Sequence, residues 1–472
     1  MKKALFILLA ILLCGCAARE GQDAPINTEE TQAPTTTAVH EHTVVIDSAV
    51  APTCVKQGWT EGSHCAECGK VLEARTPVAK TAHTPAVTPP VAPTCTTEGT
   101  CEGTSCAVCG YVIVPPITVA KAVHEPYLGK CKLCGTTDID YSDIRLYASG
   151  LGYAFFETAE HGEGMRKLYD EMMEKMSRFH TSADVDALHY TNSELLGEVY
   201  RVAVFDFANY GLTLEEAQTV YTVFRMDNPI FYWISYWLYW SDRSIAITTT
   251  ADYAKGADRA SLNEQLYAGI KEYAEAAEGE TSAYETALAY YEEIAKHAEY
   301  AYNDRDEPED ALWAHSIIGT FTHGKFVCEG YGKLLQILLN LSGIENSYIS
   351  GDANGSHFWN TAKMDDGSWY WFDITWGDGS TLSYKYFCAT DSELTTHTPT
   401  VSNTLGMYFN GPIPDCADAP FAYDGIFEIG ERVIIDGCEY VRTSRDTVRI
   451  TPNGSPIPQT VNYLGRTYKV TK

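Results

Sequence analysis

Gly324-Lys-Phe-Val-Cys-Glu-Gly-Tyr-Gly332, Gly355-Ser-His-Phe-Trp-Asn360 and Trp369-Tyr-Trp-Phe-Asp-Ile-Thr-Trp376 decide how this chain folds. They carry Cys328, His357 and Asp373 in that order, 29 and 16 residues apart. After the cysteine, Tyr331, Leu334, Leu335, Leu338 and Leu341 recur at helical spacing, and Ser342-Gly343 supplies a stop. The pattern predicts a helix with Cys328 at or just before its N-terminus. There the unpaired N–H groups and the helix dipole favour negative charge, which lowers a thiol pKa from its usual value of about 8.5. Residues 357–363 and 368–374 read as two strands, with Asp366-Gly367 as the hairpin signal between them. Folding at that turn carries Asp373 across to His357.

A thiol, an imidazole and a carboxylate are the parts needed to make and orient a thiolate nucleophile. A lone buried Cys, His or Asp is usually structural. A hairpin that joins His to Asp, preceded by a glycine-flanked Cys at a helix start, is a rarer coincidence.

These three segments resemble the transglutaminase-like superfamily in its bacterial extracellular branch. The specific resemblance covers residues 310–395. A looser one extends upstream through Asp227-Asn-Pro229 and a long helix near 282–303. It implies a papain-like core, a Cys-bearing helix packed on an antiparallel sheet carrying His and Asp. It also implies roles: Cys328 as nucleophile, His357 as base, Asp373 as orienter. The superfamily includes protein cross-linkers, peptidases, amidases and members with no known activity. The favoured expectation is hydrolysis of an amide in an extracellular protein or peptidoglycan peptide, through a thioester released by water. Release by an amine, which cross-links, and a non-catalytic surface binding module are the alternatives. The Cys328 N–H is one expected oxyanion donor. The chemistry calls for no catalytic metal or cofactor.

The N-terminus reads as an export signal. Met1-Lys-Lys3 is a charged start, and Ala4–Leu13 is apolar but too short to span a membrane. Leu13-Cys-Gly-Cys16 resembles a bacterial lipobox, so cleavage before Cys16 and lipidation of its thiol are expected; an ordinary secretory signal is the alternative. The expected location is outside the cell, held to the membrane through the Cys16 lipid. The run Phe231–Trp240 is too short to span a membrane and is followed by Asp242 and Arg243. Lys and Arg number 34 against 63 Asp and Glu, a net charge of −29. No basic patch suggests nucleic acid. Residues 17–41, polar and rich in Thr, Glu and Pro, read as a flexible tether.

Next comes an internal repeat. Cys54, Cys65 and Cys68 return as Cys95, Cys106 and Cys109, each 41 residues on, and His42, His83 and His124 keep the same period. A truncated third unit ends in Cys131-Lys-Leu-Cys134. Units this short need a staple. An oxidising compartment favours disulfides. Three thiols per unit cannot pair off, and Cys-x-x-Cys with one more Cys and a His matches tetrahedral zinc. The expected ligands of such a structural zinc are Cys54, Cys65, Cys68, His83, Cys95, Cys106, Cys109 and His124. A redox role for the Cys-x-x-Cys pairs is the weakest reading. His64 becomes Ser105 in the second unit, which argues against it as a ligand.

Residues 140–305 read as mostly helical. Met165, Leu168, Tyr169, Met172, Met173, Met176 and Phe179 form one apolar stripe, and Thr213-x-x-Glu216 and Ser282-x-x-Glu285 look like capping boxes. Trp233, Trp237 and Trp240 could line a cleft, but core packing is the simpler expectation. Residues 405–472 read as a small all-β module, with turns at Asp436-Gly437, Asn453-Gly454 and Leu464-Gly465. Cys416 and Cys438 are candidates to pair across it.

The fold class expected is therefore multidomain α+β. Residues 1–16 are the signal and lipobox, 17–41 a linker, and 42–135 zinc-ribbon-like Cys-rich repeats. Residues 136–404 hold the helical region and the catalytic domain, and 405–472 the β module.

Overall fold

The computed structural model describes residues 41–191, 198–236, 238–400, 413–454 and 456–472. The signal segment, Cys16, residues 17–40 of the linker and Trp237 lie outside the described residues. The chain forms two compact units, one of Met1–Thr88 with Gly103–Pro115, the other of Pro89–Glu102 with Pro116–Lys472. No helix among the described residues is long and apolar enough to cross a membrane.

In the first unit the repeat is visible as structure. Val44–Asp47, Gly62–Cys65 and Val71–Glu73 form a three-stranded antiparallel sheet. Pro85–Thr88, Gly103–Cys106 and Val112–Val114 form the same sheet one period later. After each Cys-x-x-Cys the chain turns through a glycine, Gly69 at φ 69° and Gly110 at φ 74°, a conformation that favours glycine. Most strand side chains here are exposed, including Val44, Ile46, Val71, Val87 and Val112. Cys54, Cys65 and Cys106 are buried instead. These modules have sulfur where a larger domain has an apolar core.

In the second unit the helix Cys328–Leu341 is buried along most of its length. It packs on an antiparallel sheet whose strand order is Trp369–Phe372, Ser356–Lys363, Asn346–Asp352 and Thr398–Pro399. Gly332 permits the close approach: a Cβ there would lie 2.8 Å from the Tyr348 ring. Asn360 Nδ2 fastens the sheet to the helix by donating to the Gly332 carbonyl at 2.9 Å. The hairpin turns around Gly367 at φ 83°, with Lys363 paired to Trp369 and Asn360 to Phe372. The second strand stops at Phe372, one residue before the expected site aspartate.

The helix Gly162–Thr181 buries the expected stripe, with Met173 only partly covered. Thr213 and Glu216 make both halves of a capping box on the helix Leu214–Asp227, a feature that contributes about 1 kcal/mol. Ser282 caps the helix Ala283–His297 by accepting from the Glu285 N–H, but the Glu285 carboxylate turns elsewhere. It pairs with the buried guanidinium of Arg442 at 2.6 Å. Asp365, in the hairpin loop, accepts instead from the next two N–H groups, those of Ala283 and Tyr284, each at 2.9 Å. That contact ties the hairpin to the helix behind it.

Residues 140–305 are mostly helical, as expected, with one addition. The segment holds a four-stranded antiparallel sheet, ordered Leu188–Thr191, Glu198–Asp206, Ser244–Thr249 and Tyr239–Trp240. Val199, Val202, Val204, Ile245 and Ile247 are β-branched residues that suit a pleated surface. Trp233 is fully buried and donates to His180 Nδ1 at 3.1 Å, whereas Trp240 is exposed.

The tail forms a five-stranded sheet, ordered Arg432–Ile435, Cys438–Ser444, Thr447–Thr451, Arg466–Thr471 and Thr460–Tyr463. Asp436-Gly437 and Leu464-Gly465 each place two successive residues at positive φ, the geometry of the tight hairpin turns read from the sequence. Cys416 and Cys438 do not pair. Cys416 lies against Thr361 Oγ1 at 3.1 Å on the sheet that carries His357, while Cys438 belongs to the tail's own core.

Candidate active site

Cys328 is the first residue of its helix, with Val327 extended before it. The opening N–H groups of a helix lack intrahelical acceptors, so the thiol sits at a site that favours negative charge. Tyr348, Phe358, Met226 and Tyr300 pack around the thiol. Burial and the neighbouring Cys328 push the Tyr300 hydroxyl above its usual pKa. Glu329, the next residue, is buried. Its carboxylate accepts from Tyr236 at 2.8 Å and Lys333 at 2.7 Å, and His315 Nδ1 lies 3.0 Å away. Burial opposes its charge, but Lys333, His315 and Arg225 hold the carboxyl well below its usual range.

His357 lies near the start of its strand and reaches two partners. Its Nε2 lies 2.8 Å from Asp373 Oδ2, and the Cys328 thiol is near enough to act on its charge. The ring lies beside the indoles of Trp359 and Trp376, at centroid distances of 5.9 and 5.8 Å. Burial pulls the imidazole pKa down, yet the Asp373 hydrogen bond and the Cys328 contact push it up to about 9. Asp373 is buried at the end of the strand and caps the short helix Ile374–Gly377 by accepting from the Trp376 N–H at 3.1 Å. Burial raises its carboxyl, but the hydrogen bonds from His357 and His397 carry it below the ordinary value.

His397 is the residue that sequence reasoning missed. Its Nε2 lies 2.8 Å from Asp373 Oδ2, the same oxygen that faces His357. One carboxylate oxygen thus lies between two imidazoles. Thr395-Thr-His-Thr-Pro399 carries no periodicity that would have placed it there. Tyr300 was missed for the same reason. The second cysteine of the domain, Cys388, is buried, and burial pushes its thiol well above the usual value.

Residues 271–374 match a family described as the transglutaminase-like superfamily. This segment is a transglutaminase-like core. It contains Cys328, His357 and Asp373, while His397 falls beyond the match. A solved structure described as "Crystal structure of a TGase" is similar at 12% identity with a TM-score of 0.24. The similarity covers 34% of this chain and 48% of that one, so the chain spans about half the length of that relative. No curated protein matches the chain.

Outside the transglutaminase-like core, the cysteines form separate clusters. Cys54, His83, Cys106 and Cys109 converge in the first unit; Cys95, His124, Cys131 and Cys134 converge in the second. The Cys54 to Cys106 and Cys95 to Cys131 sulfur separations are 3.9 and 4.0 Å. The His83–Cys109 and His124–Cys134 separations, Nδ1 to Sγ, are 3.4 and 3.6 Å. A disulfide requires about 2.05 Å. A zinc tetrahedron with bonds of about 2.3 Å to sulfur and about 2.0 Å to nitrogen has edges of about 3.5–3.8 Å. The donor sets therefore fit a structural metal. The grouping differs from a site within one repeat: each Cys-x-x-Cys and its histidine take their third thiol from the preceding unit. Cys131 and Cys134 join the expected ligands, whereas Cys65 and Cys68 face His42 instead of Cys54. His64 lies 2.8 Å from Asp47 and belongs to none of these clusters.

Proposed function

We propose that this protein is a cysteine-nucleophile enzyme that opens an amide bond through a thioester. The observation carrying this reading is the Cys328–His357–Asp373 relay, with the thiol at a helix N-terminus. His357 takes the Cys328 proton. The thiolate attacks the substrate carbonyl, and in this reading the Cys328 N–H and the Tyr300 hydroxyl beside it donate to the oxyanion. The imidazolium returns its proton to the leaving amine, and water then hydrolyses the thioester. Asp373 holds the imidazole in the useful tautomer, and His397 fixes Asp373 from the other side. The acidic, exported character of the sequence favours an extracellular protein or peptidoglycan peptide as substrate. The Cys-rich clusters are structural zinc sites in this reading.

A thiol-directed electrophile tests it. Cys328 should label rapidly at neutral pH, Cys388 should stay inert, and His357→Ala should slow labelling at Cys328 by roughly 10²-fold or more. Equal labelling of Cys328 and Cys388 in the native protein sinks the reading. The pH profile gives a second readout. His357 stays protonated to about 9 instead of its usual 6.5, so the thiolate–imidazolium pair and its activity should decline as pH rises through about 9. Between those two values the folded state holds a proton the unfolded chain has lost. Stability should therefore fall with rising pH across that window.

We also propose export and anchoring through Cys16. The mature protein should begin at a lipidated Cys16 and partition into membranes, and Cys16→Ala should release or misprocess it. Full-length protein with residues 1–15 found in the cytosol overturns this.

A further inference from the structure

Cys95, His124, Cys131 and Cys134 all lie in the second unit, with the core, whereas Cys54, His83, Cys106 and Cys109 all lie in the first. Between His124 and Cys131 the chain makes a hairpin. Pro126–Tyr127 pairs with Lys130–Cys131 across a turn at Leu128 and Gly129, at φ 47° and 76°. The tip of this hairpin meets the end of the helix that carries Cys328. The Leu128 N–H donates at 3.0 Å to the carbonyl of Ser342, the residue that follows the last helical one. The final carbonyls of a helix have no donor within it, and the hairpin supplies one. Gly343, at φ 66°, lies so near that a Cβ there would collide with the Pro126 carbonyl. The Val123 and Leu128 side chains pack against the core cluster that contains Leu338, Leu341 and Ile344. A ribbon of two residue pairs is too short to hold its shape in water by itself. The ligands on either side of its turn, His124 before it and Cys131 and Cys134 after it, are the groups a bound ion would fix.

We propose that the ion held by Cys95, His124, Cys131 and Cys134 is a stabilising site of the transglutaminase-like core, fixing the hairpin that caps the Cys328 helix. The proposal rests on the zinc reading of this cluster. The core keeps its fold without the ion, because its apolar cluster is its own. What it loses is the cap. Metal binding orders the segment that carries the ligands, and the same segment carries the Leu128 N–H and side chain. Filling the site therefore stabilises the core, and by reciprocity a folded core tightens the hold on zinc.

The test uses the full chain loaded with zinc. Cys134→Ser should lower the zinc content by about one ion per chain. Exchange of the Leu128 amide hydrogen, and of the amides of residues 342–344, should accelerate by roughly 10-fold or more. The thermal midpoint of the core should fall by roughly 2–4 °C. Cys109→Ser, which removes a ligand of the first unit's cluster, should also lose about one ion, yet leave those amides and that midpoint at their wild-type values. Leu128→Gly suits the positive φ and leaves every ligand in place. It should keep the zinc content while lowering the midpoint, and adding Cys134→Ser to it should then lower the midpoint little further. Loss of the ion in Cys134→Ser with Leu128 exchange and midpoint unchanged overturns this inference alone, as does an equal effect from Cys109→Ser. Wild-type protein that binds no zinc overturns the zinc reading itself.

Discussion

Cys328→Ala should abolish turnover and covalent labelling while leaving the protein folded. The thiol occupies a small space at a helix start, and its loss costs about 1 kcal/mol of stability. Without it no thioester forms. Mass spectrometry of cell-surface peptides and peptidoglycan fragments, treated with wild type or Cys328→Ala, should reveal products only with the wild type. Hydrolysed amides support a hydrolase; new isopeptide links support a cross-linker. Products of either kind from the Cys328→Ala protein would end the proposal. Asp373→Asn should keep the shape but misorient His357, lowering the rate by roughly 10²–10⁴-fold. His397→Ala should cost less, because His357 keeps its contact with Asp373. It leaves a buried carboxylate one donor short, a loss of about 1–3 kcal/mol. His397→Gln, which retains an N–H donor, should recover part of the rate. Equal rates for those two variants would argue that His397 only fills space.

Removal of metal should unfold the Cys-rich array and spare the core. The array has few buried apolar side chains, and its buried cysteines form its centres. In a module of this size, binding of structural zinc contributes roughly 10–16 kcal/mol, which is most of the folding energy. The transglutaminase-like core has its own continuous apolar cluster, running through Leu334, Leu338, Tyr291 and Phe372. Limited proteolysis of the full chain with and without EDTA should therefore cut within 42–135 only after chelation. The nine cysteines from Cys54 to Cys134 should then become reactive thiols. An array that resists chelator but falls apart with reductant overturns the metal reading.

The local parts of the site were legible because local chemistry dictates them. Cys328 falls at a helix start because the apolar spacing that follows it is helical. Asp373 meets His357 because a tight turn fixes the register of the strands on either side, and register fixes neighbours. The 41-residue period and its cysteines were equally plain. Less was legible where pattern was weak. Glu198–Asp206 and Ser244–Thr249 pair across a long intervening stretch that includes the helix Leu214–Asp227, so neither strand announces its partner. The second capping box was half right, because Arg442 lies far away in sequence yet draws off the Glu285 carboxylate.

By itself, then, the sequence placed Cys328 at a helix start, His357 and Asp373 on one hairpin, and the cysteines and histidines of the repeats at a fixed period. Each follows from spacing within a few turns or strands. Only the tertiary structure placed His397 on Asp373 and Tyr300 beside Cys328. It also decided which cysteine completes which cluster. Those contacts join segments with no shared period, so their partners are chosen by the packing of the whole domain and leave no mark in the local sequence.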